Sequence, residues 1–363
     1  MSLLFSPFRI RNTIFKNRMG LSPMCMYSSI DGFATDFHLV HLGSRALGGF
    51  GLVIQEATAI SPEGRITYQD LGIWKDEHIL KLKEVVDFCH SHGALVGIQL
   101  AHAGRKASSL PPHLGRKKVK PHEKNGWQTV SASPLPYHLE DTPPHELNEK
   151  GIQKIKEDFL AATQRAKVAG YDVLEIHAAH GYLLHQFYSP LSNQRQDHYG
   201  GSFENRIRLL LEIVVLIKKE WGAEKPLFVR ISATDWVDGG WDIEDSIRLA
   251  QKLKHLGVDL IDTSSGGNYR VKINTFPSYQ VDFAQTIKEK AEIATAAVGL
   301  ITQAKVSEEL LQAGKANLIL YGRAALRHPY LPLHFAHQLQ DDIKWPIQYS
   351  RGKEERELDK VFK

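Results

Sequence analysis

The segment Val173-Leu-Glu-Ile-His-Ala-Ala-His-Gly-Tyr182 decides how the rest of the chain is read. Its first half is a short aliphatic run with the length and residue types of a buried strand. Its second half sets two imidazoles and a phenol where that strand ends. Polar groups gathered at a strand end are the mark of a parallel sheet whose loops assemble a site along one edge. Similar units flank the segment on both sides. Strands are expected at Met19 to Ser22, Leu52 to Glu56, Leu95 to Gln99, Val173 to His177, Leu227 to Ile231, Val258 to Asp262, Ile293 to Val298 and Leu318 to Tyr321.

Between them the apolar spacing turns helical. Glu77 to Ser91 carries Ile79, Leu82, Val85, Val86 and Cys89 on one face, and Glu204 to Glu220 carries Ile207, Leu210, Leu211 and Val214. Asp76 and Ser202 stand where N-caps are expected. Glu244 to Leu256, Tyr279 to Lys290 and Gln303 to Ala313 repeat the rhythm. Eight strands alternating with helices predict an α/β fold of the closed (β/α)₈ TIM-barrel type, since an open doubly wound sheet rarely needs so many units. Residues 1–345 are read as one barrel and 346–363 as a C-terminal tail. From Ala101 to about Asn148 the periodicity fails amid Pro, His, Gly and Ser, which predicts a lid or hairpin inserted after the third strand.

Composition bounds the function. The chain has 363 residues, 42% hydrophobic and 24% charged, as in ordinary globular proteins. Its net charge of +4, from 45 basic and 41 acidic side chains, is too small an excess to argue for nucleic acid. The one basic run, Arg116-Lys-Lys-Val-Lys120, lacks interleaved aromatics and reads as a solvated loop. Met1 to Ile10 lacks the apolar core of a secretory signal, and no stretch nears the roughly 18 apolar residues that span a bilayer. Two cysteines, Cys25 and Cys89, suit a reducing compartment, so a cytoplasmic location is expected.

The strand ends are well supplied with chemistry. His177 and His180, three residues apart, point the same way if the chain turns helical after the strand. Three readings fit the pair: a clamp of two N–H donors on a substrate carbonyl, ligation of a metal with His185 as third ligand in a hydrolase, or histidines bonded to backbone. Glu175 shares their strand face but lies about 6.6 Å deeper, which weakens the metal reading. Tyr182 falls close enough to offer a proton, or to pack as an ordinary aromatic. Gly299 and Tyr321-Gly322-Arg323 follow the last two strands, where barrels commonly hold a phosphate. Arg230 ends an apolar strand and needs an anion or an electron-rich ring. With Gln99 and Lys106 on the facing side, the set suits FMN: phosphate at Gly322 and Arg323, an amide donor from Gln99 at the pyrimidine ring, and Arg230 beside the reduced ring's charge.

Taken together, Asn17-Arg18, Ser22-Pro-Met-Cys-Met-Tyr27, His102-Ala-Gly-Arg-Lys106, His177-Ala-Ala-His-Gly-Tyr182, Tyr199 to Arg206 and Tyr321-Gly-Arg323 closely resemble the Old Yellow Enzyme family of FMN-dependent ene-reductases. The similarity runs nearly end to end. Cys25 resembles the bacterial thermophilic-like subclass, in which such a thiol lies near flavin N5. The resemblance implies flavin contacts from Ser22, Pro23, Met24, Cys25, Ala57, Gln99, Arg230, Gly299, Gly322 and Arg323. It implies substrate contacts from Tyr27, Lys106, His177, His180 and Tyr182, with Tyr182, His177, His180 and Cys25 catalytic. NADPH or NADH is the implied hydride donor, and an α,β-unsaturated carbonyl compound the acceptor; a nitro compound or nitrate ester is the alternative. Trp345 to Gly352 resembles the tail from which members extend an arginine, here Arg351, into the neighbouring subunit of a homodimer or homotetramer. Lys353, where many relatives carry an aromatic, departs from that pattern, and the run Lys353 to Glu357 also fits a solvated charged terminus.

Overall fold

The order of elements follows the expected alternation, seen in a computed structural model that describes residues 1–353. Most of the charged run Lys353 to Glu357, and the end of the tail, lie outside the described residues. A short antiparallel hairpin comes first, β1 (Phe8–Ile10) and β2 (Thr13–Phe15). Then follow β3 (Met19–Leu21), α1 (Asp36–Leu47), β4 (Leu52–Ala59), α2 (His78–Ser91), β5 (Leu95–Ala101), β6 (Val130–Ser131), β7 (His145–Glu146) and α3 (Glu149–Ala169). The chain continues through β8 (Val173–Ala178), α4 (Leu183–Tyr188), α5 (Phe203–Trp221), β9 (Leu227–Ser232), α6 (Ile243–His255) and β10 (Leu260–Ser264). It ends with α7 (Val281–Ala291), β11 (Ala294–Ala297), α8 (Ala304–Gln312), β12 (Leu318–Tyr321), α9 (Arg323–Arg327) and α10 (Leu331–Leu339). Strands β3, β4, β5, β8, β9, β10, β11 and β12 pair in that order, all parallel, and β12 returns to β3 through Ile319 and Met19 to close the barrel.

Each of the eight expected strands is present, with small shifts of bounds. The sixth begins at Leu260 rather than Val258, because the Val258 amide is spent on the Leu253 carbonyl closing α6 (3.0 Å). Ser202 caps α5 as expected, its side chain accepting from the Asn205 amide. Asp76 does not cap α2: the cap falls on Glu77, and the Asp76 carboxylate instead meets Arg165 Nε at 2.7 Å. The insertion after β5 holds a small hairpin, in which Leu110 N donates to Lys117 O and Val119 N to Ser108 O (both 2.8 Å), together with the short parallel pair of β6 and β7. Among the described residues no helix is long and apolar enough to cross a membrane.

Strand period and barrel closure sort the inward-facing residues into layers. At the N-terminal end Val173, Phe228 and Leu260 form an apolar plug with Leu52, Ile54 and Leu318. Phe15 of the hairpin stacks on Phe228, with ring centroids 6.4 Å apart, and seals that end. Two residues further along the same strands stand Glu175, Arg230 and Asp262, and two further still His177, Ser232 and Ser264. Polarity therefore rises along the barrel axis from a sealed apolar floor to a polar mouth, where the chemistry gathers.

Candidate active site

His177 ends β8 with its Nδ1 accepting from the Ala179 amide at 3.2 Å. Burial, reinforced by the Arg230 cation, holds both His177 and His180 well below the ordinary histidine range. A neutral His177 whose Nδ1 accepts must carry its proton on Nε2, and Nε2 has no protein partner among the described residues. His180 places Nε2 2.7 Å from Ser264 Oγ. The other acceptor for that hydroxyl, Gln280 Oε1, lies 3.5 Å away and is already bonded to Ser265 Oγ at 2.6 Å. Ser264 therefore donates to Nε2, and the His180 proton resides on Nδ1. The two rings cross at 85° with centroids 5.1 Å apart, so two N–H donors enter one space.

The helical turn expected to align them is absent. His180 (φ 57°) and Gly181 (φ 71°) are both left-handed, and α4 starts only at Leu183. A Cβ on Gly181 would fall 2.3 Å from the Gly267 carbonyl oxygen, so only glycine fits this crossing of two loops. Lys106 ties the crossing together, donating from Nζ to the carbonyls of His180 (2.8 Å) and Gly267 (2.9 Å). Two of its donors thus hold backbone, while its ammonium stands 5.1 Å from the Tyr182 ring centre. Tyr182 packs edge-on to His177 (5.0 Å), and its hydroxyl has no protein partner among the described residues. Burial pushes the phenol well above its ordinary range, so it stays protonated. His185 does not join the pair: its Nδ1 accepts from Gly181 N at 3.0 Å and its Nε2 lies 2.8 Å from Asp235 Oδ1. The three-histidine metal reading fails on that geometry.

Around the opposite side of the mouth, Ser22 Oγ accepts from Arg230 at 3.3 Å. Arg230 Nε also meets Asp262 Oδ2 at 3.1 Å, an anion that sequence reasoning missed although both residues close apolar strand runs. Gln99 Nε2 donates to Glu175 Oε1 at 2.7 Å, so one amide hydrogen expected for the cofactor is spent inside the barrel. Burial, with Asp262 nearby, pushes Glu175 up to about 8. Its second oxygen and both Asp262 oxygens lack a well-aligned hydrogen bond among the described residues. A bulge in β4 between Gln55 and Ala57 turns Glu56 toward the Cys25 loop, where its carboxylate accepts from Met26 N (3.0 Å) and lies 3.4 Å from His38 Nε2. That support, too, was not legible in sequence. Burial, then Asp70 and Glu56, keep the Cys25 thiol protonated.

At the last two strands, Gly299 has φ 121° and Gly322 opens into free space, where an added Cβ would meet only Met24 Sδ at 3.6 Å. Arg323 beside it is exposed and has no carboxylate within ion-pair distance among the described residues. An unpaired guanidinium over glycine backbone, with Gln99 and Arg230 across the mouth, fits the phosphate and ring of FMN. Tyr27, Lys106 and Tyr182 line a cavity of about 730 Å³ that the insertion walls. Arg351 lies in an exposed 3₁₀ turn, Ile347–Gly352.

A barrel mouth of this kind defines a flavin-binding oxidoreductase site. The family model for the NADH:flavin oxidoreductase / NADH oxidase family matches residues 3–342. The chain belongs to that family, the Old Yellow Enzyme family, and is an FMN-dependent oxidoreductase. It is 48% identical over 351 residues to the NADPH dehydrogenase of Bacillus subtilis (strain 168), covering 96% of this chain and 98% of that one. The NADPH dehydrogenase of Listeria monocytogenes (serotype 4a, strain HCC23) is 48% identical over 354 residues, with 97% and 99% covered. Among solved structures, morphinone reductase superposes with a TM-score of 0.78 at 28% identity, over 95% of this chain and 91% of that one. A 2-naphthoyl-CoA reductase complex gives 0.84 at 25% identity over 93% of this chain, which spans 52% of that longer protein.

Proposed function

We propose that this enzyme reduces the C=C bond of α,β-unsaturated carbonyl compounds with NADPH or NADH as hydride donor. The observation that carries the reading is the convergence of His177 Nε2–H and His180 Nδ1–H, both neutral and without protein acceptors, beside the free hydroxyl of Tyr182. Two fixed donors on a carbonyl oxygen draw electron density from the β-carbon and stabilise the enolate-like transition state. Because both imidazoles are buried and uncharged, they donate hydrogen bonds without surrendering protons. Tyr182 is the proton source for the α-carbon, held protonated until the acceptor is in place.

Ser22, Pro23, Met24, Cys25, Ala57, Gln99, Arg230, Gly299, Gly322 and Arg323 are the residues that would hold the flavin. When bound, FMN supplies two-electron hydride chemistry between the nicotinamide and the acceptor. Tyr27, from a left-handed position (φ 52°), faces the same cavity as Tyr182 and Lys106 and bounds the acceptor. We assign residues 1–345 to a single barrel, with the tail from 346 reaching a second copy of the chain through Arg351. Exposed Ile347, Tyr349, Tyr330 and Leu326 support that contact surface. Light scattering that finds only monomers would exclude it.

The test of activity is anaerobic. The FMN-loaded protein should bleach with NADPH and recover its colour with 2-cyclohexenone, with one equivalent of the saturated ketone formed. Bleaching without recovery across enones and maleimides would refute ene-reduction, and recovery with nitro compounds alone would move the activity to that acceptor class.

A further inference from the structure

The run Arg116-Lys-Lys-Val-Lys120 reads as a solvated loop in sequence, yet the fold carries it to the wall of the acceptor cavity. Lys118 anchors the loop inward, its Nζ donating to Arg105 O (2.7 Å) and to Ala107 O. With Lys118 turned in, Arg116, Lys117 and Lys120 face solvent along the cavity. Arg270 joins from the connection after β10, its Nη1 3.3 Å from His138 Nδ1. None of these four cations has a carboxylate within ion-pair distance among the described residues, in a protein where most exposed lysines and arginines near acids do pair. The lining includes two acids, Glu140 and Asp141, and Asp141 already accepts from His138 N at 3.2 Å. Burial and the neighbouring cations Arg105, Arg116 and Lys118 also push Lys106 down to about 7, the mark of cations crowded without an anion.

We infer that this basic rim binds a phosphate dianion, the 2′-phosphate of NADPH, and so makes the enzyme selective for NADPH over NADH. The inference rests on the proposed function, which places the nicotinamide over the flavin at the Tyr27 and Tyr182 end of the cavity. A dinucleotide held there must leave through the same mouth, and its adenosine end then passes the rim. The cavity volume of about 730 Å³ suits a ligand of that size. NADPH differs from NADH only by that phosphate, so unpaired Arg and Lys side chains at the rim discriminate between them through charge-assisted hydrogen bonds. A small enone lies wholly inside the clamp and does not need the rim.

The experiment uses the FMN-loaded enzyme in anaerobic stopped flow, with flavin bleaching followed against NADPH and NADH concentration. The wild type should show an apparent Kd for NADPH at least about tenfold below that for NADH, and added salt should erode the difference. R116E/K117E, whose side chains are exposed and outside the core, should bring the ratio of the two Kd values close to one. Calorimetry with adenosine 2′,5′-bisphosphate against adenosine 5′-monophosphate reads the same site without hydride transfer, and the variant should lose the preference. An equal ratio in the wild type, or a ratio the variant leaves intact, overturns the inference. So does a result in which the variant weakens only a phosphate-bearing enone, since the anion would then belong to the acceptor. If neither nicotinamide bleaches the flavin, the functional reading fails, and the calorimetric comparison still decides whether the rim holds the phosphate.

Discussion

Gly181→Ala tests how the clamp is built. The substitution puts a side chain at φ 71°, a conformation that costs an L-residue about 1–2 kcal/mol. It also drives a Cβ to 2.3 Å from the Gly267 carbonyl oxygen, and ordinary contact near 3.4 Å requires the two loops to part by 1.1 Å. Relieving an overlap of that kind in packed surroundings costs a further amount of about 1–3 kcal/mol. The displaced oxygen is one of the two that Lys106 holds, and the other belongs to His180, so the movement passes directly to the clamp. Misplacement by about 1 Å is enough to lower catalysis about 10²-fold. Gly201→Ala is the control, because Gly201 has φ 79° but open space around its Cβ position and bears the dihedral cost alone. Thermal unfolding should place G181A several degrees below G201A, and kcat/KM for 2-cyclohexenone should fall about 10²-fold in G181A while staying near wild type in G201A. If the two variants melt together and G181A keeps its activity, the crossing of the two loops does not position His180.

Tyr182→Phe should slow enone reduction about 10²–10⁴-fold while leaving flavin bleaching by NADPH in place, which separate half-reaction measurements will show. Ser264→Ala removes the hydroxyl that fixes the His180 tautomer, and KM for the enone should rise about tenfold with little change in nicotinamide oxidation. Arg323→Ala should weaken FMN about 10- to 100-fold by fluorescence titration, since a charge-assisted contact to the phosphate is lost; an unchanged Kd would place the phosphate elsewhere. Glu175 has a folded-state pKa near 8 against a model value of 4.5, so its protonated form stabilises the fold at low pH and that contribution is lost as pH rises through about 8. E175Q, which does not titrate, should therefore gain stability relative to wild type between pH 5 and pH 8, and parallel melting curves would contradict this.

The sequence by itself determined the strand and helix alternation, because periods of two and 3.6 residues are written in local runs such as Val173 to His177 and Glu204 to Glu220. It also determined which side chains reach the mouth, since strand ends carry His177, Gln99 and Arg230 wherever the barrel closes. What meets what was decided by tertiary structure. Asp262 faces Arg230 through the register of β9 and β10, Glu56 reaches Met26 through a bulge, and Ser264 assigns the His180 proton from a strand 84 residues away. The turn after His177 looked helical from its spacing, yet it is left-handed because Gly267, Lys106 and Gly181 meet there. The basic run near Lys117 had no assignable partner in sequence and acquires one only when the insertion folds over the cavity. Local periodicity fixes the face on which a residue stands. Register, bulges and loop crossings depend on pairings between segments distant in the chain, and no local pattern encodes those.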